Sequence, residues 1–306
     1  MASSYRPHGI YSAQWIPTDL QGRLHRGALA DLIAFQRRHG IHGLLALGST
    51  GEFPQFSVEE RKAVLATVVD LAGDLPVMAN ITDIRPRAAV ELGRFAKTLG
   101  VKAVGLMPPM FFPVSPADQL AYFLHVADAV DLPVMLYNFP ELTGKRIGIE
   151  TISAFADRAS MCAIKQSGGE FAYHRELIAL GGEKGFAVMS GSDLRLPEVF
   201  GLGAAGAIGG LVNIVPDLMV GLYRACVEKA PGDVDAMAAR MLEVGRVVDQ
   251  LTFPLNVAAG IEARGLRPGV PKSIVSAESR ALYDKIVVEL GDLFARWQLA
   301  PSQDAA

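Results

Sequence analysis

An α/β chain folded as a (β/α)8 barrel, with a helical appendage at its C-terminal end, is the architecture this sequence predicts. Three observations point there. Short apolar runs alternate with amphipathic stretches through most of the chain. Successive units lie roughly 25–30 residues apart. The alternation then stops near residue 225. Apolar runs this short, bounded by Gly and Pro, suit parallel strands buried on both faces.

Strands are expected around 10–15, the least regular, and then at 43–47, 76–79, 103–106, 133–136, 162–164, 186–189 and 207–208. Helical period is read over 24–38, 58–71, 87–99, 117–129, 149–155, 171–180 and 194–201. In the second of these stretches, Val58, Val64, Leu65, Val68 and Leu71 repeat on one helical face. The ends agree with the periods. Ser57-Val-Glu-Glu60 has the form of a capping box, and Ser115-Pro116 sets a hydroxyl N-cap before a proline at N1. Gly40 and Gly100 stand where helices should stop. A doubly wound sheet carries the same local signature, so period alone does not separate the two folds; eight units make the closed TIM barrel the first choice.

Beyond the barrel, 233–251, 256–264 and 278–297 carry helical period with no strand between them. Residues 1–224 are therefore read as the barrel and 225–306 as helices packed on it, because no linker composition divides the two. The last residues, 300–306, read as a frayed end.

A chain of 306 residues, half of them hydrophobic and a fifth charged, is ample for one large barrel core. The net charge of -3 provides no field for a polyanion, so nucleic acid is not an expected partner. Cys162 and Cys226 have no paired spacing, which speaks against a disulfide framework or a zinc knuckle. Residues 1–8 lack an apolar core for a signal peptide, and the most apolar segment, 203–215, is short and carries four glycines. A cytoplasmic protein with no membrane partner is expected.

In such a barrel, chemistry sits where strands end, at the C-terminal face. Those positions hold Ser49, Thr50, Asn80, Tyr137, Lys165, Ser167, Ser190, Asp193, Gly209 and Gly210. Lys165 follows the apolar Cys162-Ala-Ile164, so the barrel mouth should desolvate it. Burial disfavours an ammonium and frees the amine to attack a carbonyl. A solvated lysine at a strand end fits the same pattern. Tyr137 closes the run Pro133-Val-Met-Leu136, either as a proton shuttle or as a tyrosine capping the core with its hydroxyl in water. Gly48-Ser-Thr-Gly-Glu52 supplies two hydroxyls and closely spaced N–H groups, a nest for a carboxylate, although an ordinary βα turn would look alike.

Two further patterns are set aside. Gly201-Leu-Gly-Ala-Ala-Gly206 spells a dinucleotide fingerprint, but it follows a helical stretch and no helix opens within it. His39 and His42 have no carboxylate near them in sequence, so surface histidines explain them better than metal ligands.

Taken together, Gly48-Ser-Thr-Gly-Glu52, Tyr137-Asn-Phe-Pro140 with Thr143-Gly144, and Lys165 placed 28 residues after Tyr137 resemble the dihydrodipicolinate synthase/N-acetylneuraminate lyase superfamily over nearly the whole chain. The resemblance implies that Lys165 forms an imine with a 2-oxo acid such as pyruvate and that Tyr137 relays protons. It implies that Ser49 and Thr50 bind the 2-oxo acid's carboxylate, with Thr50 also touching Tyr137, and that Ile208 and Gly209 meet the bound pyruvate. Homotetramers, often dimers of dimers, and no metal or organic cofactor are further implications.

Departures from the synthase pattern bear on substrate. Met110 and Phe111 stand where synthases usually have Tyr-Tyr, Leu142 replaces an arginine for the semialdehyde carboxylate, and Gln166-Ser167 replaces Glu-Ala. Ser167 matches a substrate-binding hydroxyl of the sugar-acid lyases, and Asp193 a polyol-binding aspartate of the neuraminate lyases. The glutamate that follows that aspartate is here Leu194. The expected activity is therefore cleavage of a 4-hydroxy-2-oxo acid, as in 2-keto-3-deoxy sugar acids, to pyruvate and an aldehyde. A dehydratase using the same imine, a 4-hydroxy-2-oxoglutarate aldolase, a dihydrodipicolinate synthase and a non-catalytic 2-oxo-acid-binding barrel are the alternatives.

Overall fold

Eight parallel strands pair in sequence order and close into a barrel, β8 returning to β1. The computed structural model describes residues 5–299; residues 1–4 and the terminal segment 300–306 expected to fray lie outside the described residues. The strands are β1 (Gly9–Ala13), β2 (Gly43–Ala46), β3 (Val77–Asn80), β4 (Ala103–Leu106), β5 (Val134–Asn138), β6 (Met161–Gln166), β7 (Ala187–Ser190) and β8 (Gly206–Gly209). Every strand residue is buried, as the continuous apolar runs required.

The helices between them are α1 (Arg26–Arg38), α2 (Val58–Ala72), α3 (Pro86–Thr98), α4 (Pro116–Val130), the single turn α5 (Pro140–Thr143), α6 (Ile149–Arg158), α7 (Tyr173–Lys184), α8 (Leu196–Leu202) and α9 (Pro216–Cys226). The capping box at Ser57–Glu60 forms in both directions, and the Ser115 side chain accepts from the Asp118 N–H. Gly40 and Gly100 take positive φ just past α1 and α3, where a side chain would be strained.

Three elements differ from the sequence reading, the first of them the unexpected single turn α5. The helix α9 was not expected as such, because its start lies against the glycine-rich apolar segment 203–215 and its period is short. The first strand ends at Ala13 rather than near 15. Trp15 instead leaves the sheet, and its backbone N–H donates to Asn213 Oδ1 at 3.0 Å. Asn213 also accepts from Gln36 and Ser12 and donates to the carbonyls of Ala13 and Gly210, a buried polar knot at the seam where the barrel closes.

After β8 and α9 come α10 (Val234–Val248), α11 (Leu255–Ala263) and α12 (Ala277–Arg296), with no strands between them. They pack on the barrel. Gly245 of α10 lies so close to Leu194 that a Cβ there would sit 2.5 Å from a leucine methyl. The chain after α11 is also tied to the barrel mouth. Lys272, 5% exposed, donates to Glu52 Oε2 at 2.7 Å and to the Ile16 carbonyl at 2.8 Å. Among the described residues no helix is long and apolar enough to cross a membrane.

Candidate active site

Tyr137 and Lys165 are brought together by strand register. In β5–β6, Val134 pairs with Met161 but Met135 pairs with Ala163, so one extra residue is inserted in β6 near Cys162. From there Tyr137 lies opposite Lys165 and Asn138 opposite Gln166. Had the Val134–Met161 register continued along β6, Lys165 would face Asn138. Side chains alternate across a strand, so one pair points into the barrel and the next points out.

The inward pair makes the chemistry. Lys165 Nζ donates to the Tyr137 hydroxyl at 3.0 Å and lies 4.2 Å from the centre of its ring. Both side chains are almost fully buried, at 4% and 1% exposure. The outward pair holds the strand ends: Asn138 Nδ2 donates to Gln166 Oε1 at 2.7 Å, and Asn138 Oδ1 accepts from the Ile147 N–H. Gln166 is therefore a strand tie and not a substrate contact, which corrects its inclusion among the departures that bear on substrate.

The turn after β2 lies across the mouth from this pair. Ser49 Oγ is 3.2 Å from the Tyr137 hydroxyl, so Lys165, Tyr137 and Ser49 form a continuous hydrogen-bonded chain. The contact to Tyr137 had been expected of Thr50; it is Ser49 that makes it. The amides of Gly51 and Glu52 are consumed within the turn, by the carbonyls of Gly48 and Ser49. The Ser49 and Thr50 N–H groups donate to no acceptor among the described residues, which leaves two adjacent donors for an anion. Glu52, in the left-handed region at φ 54°, is held there by Lys272.

A cavity of about 200 Å³ opens beside these groups, and Thr50, Tyr137, Lys165, Ser167, Asp193 and Ile208 line it together with Gly210 and residues of α10 and α11. Gly209 is not part of the lining. A Cβ there would lie 2.1 Å from Asp193 Oδ1, so its role is to let the aspartate approach. Gly191 acts similarly: a Cβ would fall 2.0 Å from Ser167 Oγ. Met110 and Leu142 do not line the cavity, and Lys165 is its one cation among the described residues.

Asp193 accepts the Leu211 N–H at Oδ2 (2.9 Å), while its Oδ1 is buried without a partner. Desolvation pushes its pKa up from the usual 3.8 to about 6, against the opposing pull of the Leu211 N–H and of Lys165. The folded chain thus holds this proton more tightly than the unfolded chain. Stability from this group is present below about pH 4 and is lost as the pH rises through about 6. Asp193→Asn is accordingly expected to stabilise the fold at pH 8 by about 1–3 kcal/mol, a gain that shrinks toward zero by pH 4.5. Chemical unfolding at the two pH values checks it; equal effects at both would remove the charge argument.

The loop carrying Asp193 rests on a residue the sequence reading missed. His174 of α7 is fully buried, with Nδ1 donating to the Phe171 carbonyl at 3.0 Å and Nε2 accepting from the Ser190 hydroxyl at 3.0 Å. Ser190 Oγ in turn accepts the Ser192 N–H. Burial lowers the His174 pKa and favours this neutral form. Nothing in the local sequence marks a lone histidine inside an amphipathic helix. His39 and His42 play no such part: His39 stacks edge-on against Phe35, and His42 Nδ1 accepts the Ile10 N–H. The glycines of 201–206 end α8 and begin β8, as a helix-to-strand joint would.

The sequence profile of the dihydrodipicolinate synthetase family matches residues 6–288. The chain belongs to that family. It is 35% identical over 251 residues to the 4-hydroxy-tetrahydrodipicolinate synthase of Pseudomonas putida, covering 82% of this chain and 86% of that one. Among solved structures it is similar to YagE, a prophage protein of the dihydrodipicolinic acid synthase family from E. coli K12 in complex with pyruvate, with a TM-score of 0.84, 30% identity and coverage of 93% and 98%. The N-acetylneuraminate lyase of Fusobacterium nucleatum shares the fold, with a TM-score of 0.85 at 21% identity and coverage of 94% and 98%. The protein is a carbon–carbon lyase of this superfamily.

Proposed function

We propose that this lyase is a Schiff-base aldolase that cleaves a 4-hydroxy-2-oxo acid, of the 2-keto-3-deoxy sugar-acid class, to pyruvate and an aldehyde. The observation that carries the reading is the hydrogen-bonded Lys165–Tyr137–Ser49 chain, whose Lys165 and Tyr137 line one cavity with Thr50, next to the unused N–H groups of Ser49 and Thr50. The substrate carboxylate takes the Ser49 and Thr50 N–H groups, which positions C2 against Lys165 Nζ. The amine adds to C2, and the carbinolamine hydroxyl leaves as water by taking the Tyr137 proton, so that a protonated imine and a Tyr137 phenolate remain. Tyr137 then accepts the C4 hydroxyl proton as the C3–C4 bond breaks, and the bonding pair moves into the imine to give an enamine. Protonation at C3 and addition of water to C2 release pyruvate and restore Lys165. No metal or organic cofactor enters these steps, since the imine itself is the electron sink.

The cavity's charge supports a neutral aldehyde portion over a second carboxylate. Beyond Lys165 the titratable groups on its walls are Tyr137, Asp193 and Asp249, so a dicarboxylate would meet repulsion and no guanidinium. Aspartate semialdehyde and 4-hydroxy-2-oxoglutarate are thereby disfavoured. An unpaired second carboxylate forgoes roughly 1.5–3 kcal/mol of charge-assisted bonding. Condensation of pyruvate with aspartate semialdehyde should therefore run at least about tenfold below cleavage of the best 2-keto-3-deoxy acid in kcat/KM. Robust synthase kinetics, at or above the sugar-acid rate, would overturn the substrate assignment. Pyruvate release in a coupled assay separates the aldolase from a dehydratase acting through the same imine.

A cytoplasmic homotetramer is part of the same proposal. Phe111 and Phe112, 84% and 64% exposed, stand edge to face in the loop after β4, an apolar patch that a partner copy would cover. Sedimentation velocity that returns a monomer would remove this element.

A further inference from the structure

The appended helices reach the cavity. Asn256, in the first turn of α11, is 7% exposed and lines it, and its Oδ1 is buried with no hydrogen-bond partner. Buried amides are normally paired, so an orphan on a cavity wall points to a group supplied from outside the chain. Asp193 Oδ1, on the 190s loop, is the other buried unpartnered atom on these walls among the described residues. Asp249, the residue capping α10, stands at the same cavity and is exposed. Apolar Val248 and Val257 flank these groups.

We propose that Asn256, with Asp249 at the rim, forms a distal subsite on the helical appendage that reads hydroxyl groups of the substrate's chain beyond C4. The proposal rests on the aldolase reading and extends it to substrate length. Two carboxylates and an amide oxygen accept hydrogen bonds and offer no positive charge, so the ligand they suit is a donor-rich, uncharged polyol tail. A hydroxyl donates to an orphan oxygen and accepts from the amide nitrogen, which a methylene cannot do. The barrel strands would thus run the chemistry at C2 to C4, while α10 and α11 set which chain lengths are accepted.

The test compares wild-type protein with Asn256→Leu and Asn256→Asp on 4-hydroxy-2-oxo acids of four, five and six carbons, the longer two bearing a hydroxyl on each added carbon. Pyruvate trapping by borohydride is followed in parallel. The expected result is a kcat/KM ratio, six-carbon over four-carbon, that falls about 10- to 100-fold in Asn256→Leu, with Asn256→Asp recovering part of it. An equal loss on all three acids, or no loss on any, overturns the subsite while trapping still reports the imine. Failure of wild-type protein to trap pyruvate at all overturns the aldolase reading and the subsite with it.

Discussion

Lys165→Arg is expected to lower turnover by about 10⁴–10⁶, the scale on which loss of a covalent nucleophile falls. A guanidinium keeps a donor for Tyr137 but stays protonated and cannot form the imine. Lys165→Met, similar in length and uncharged, should be equally inactive, which separates loss of the amine from disturbance by a larger buried cation. Both variants are to be checked for an unchanged fold by near-UV circular dichroism. Retention of more than about one-hundredth of wild-type activity in either would show that the amine is not the nucleophile.

How much of this site was legible in the sequence depends on the kind of information each part requires. The placement of Lys165 and Tyr137 was legible because the apolar runs that precede them mark strands, and a barrel places strand ends at its mouth. The inserted residue of β6 that brings the two opposite each other has no sequence signature, since a bulge inside a run of buried residues preserves its apolar character. Gln166 was misjudged for the same reason: only the register shows that it faces Asn138 and away from the cavity. Gly209 makes space for Asp193, a close approach that only the fold reveals. Asn256 and Asp249 were out of reach altogether, because their place depends on how the appendage docks. That docking is long-range packing, such as Gly245 against Leu194, which no local period encodes. The eight strands and the closing helices were legible because burial period and capping chemistry are local.

Tyr137→Phe is the second large effect. The phenol receives the Lys165 hydrogen bond at 3.0 Å and pairs with Ser49 at 3.2 Å, so its removal interrupts the only hydrogen-bonded link between the amine and the turn among the described residues. Cleavage should slow by about 10²–10⁴ in kcat, the usual worth of a positioned acid–base group, with KM changed far less. Pyruvate trapping should remain detectable, since Lys165 keeps its buried place. Stability should fall by only about 1 kcal/mol, because the buried ring is retained and one hydroxyl's bonds are lost. A KM effect with kcat unchanged would recast Tyr137 as a binding residue.

The most direct measurement is peptide mapping by mass spectrometry after borohydride reduction of the protein with pyruvate. One reduced pyruvyl group should be found on Lys165 and on no other lysine, and Lys165→Arg should take up none. Pyruvate that binds while Lys165 is recovered unmodified, or a label carried on a different lysine, would contradict the imine on which the whole reading rests.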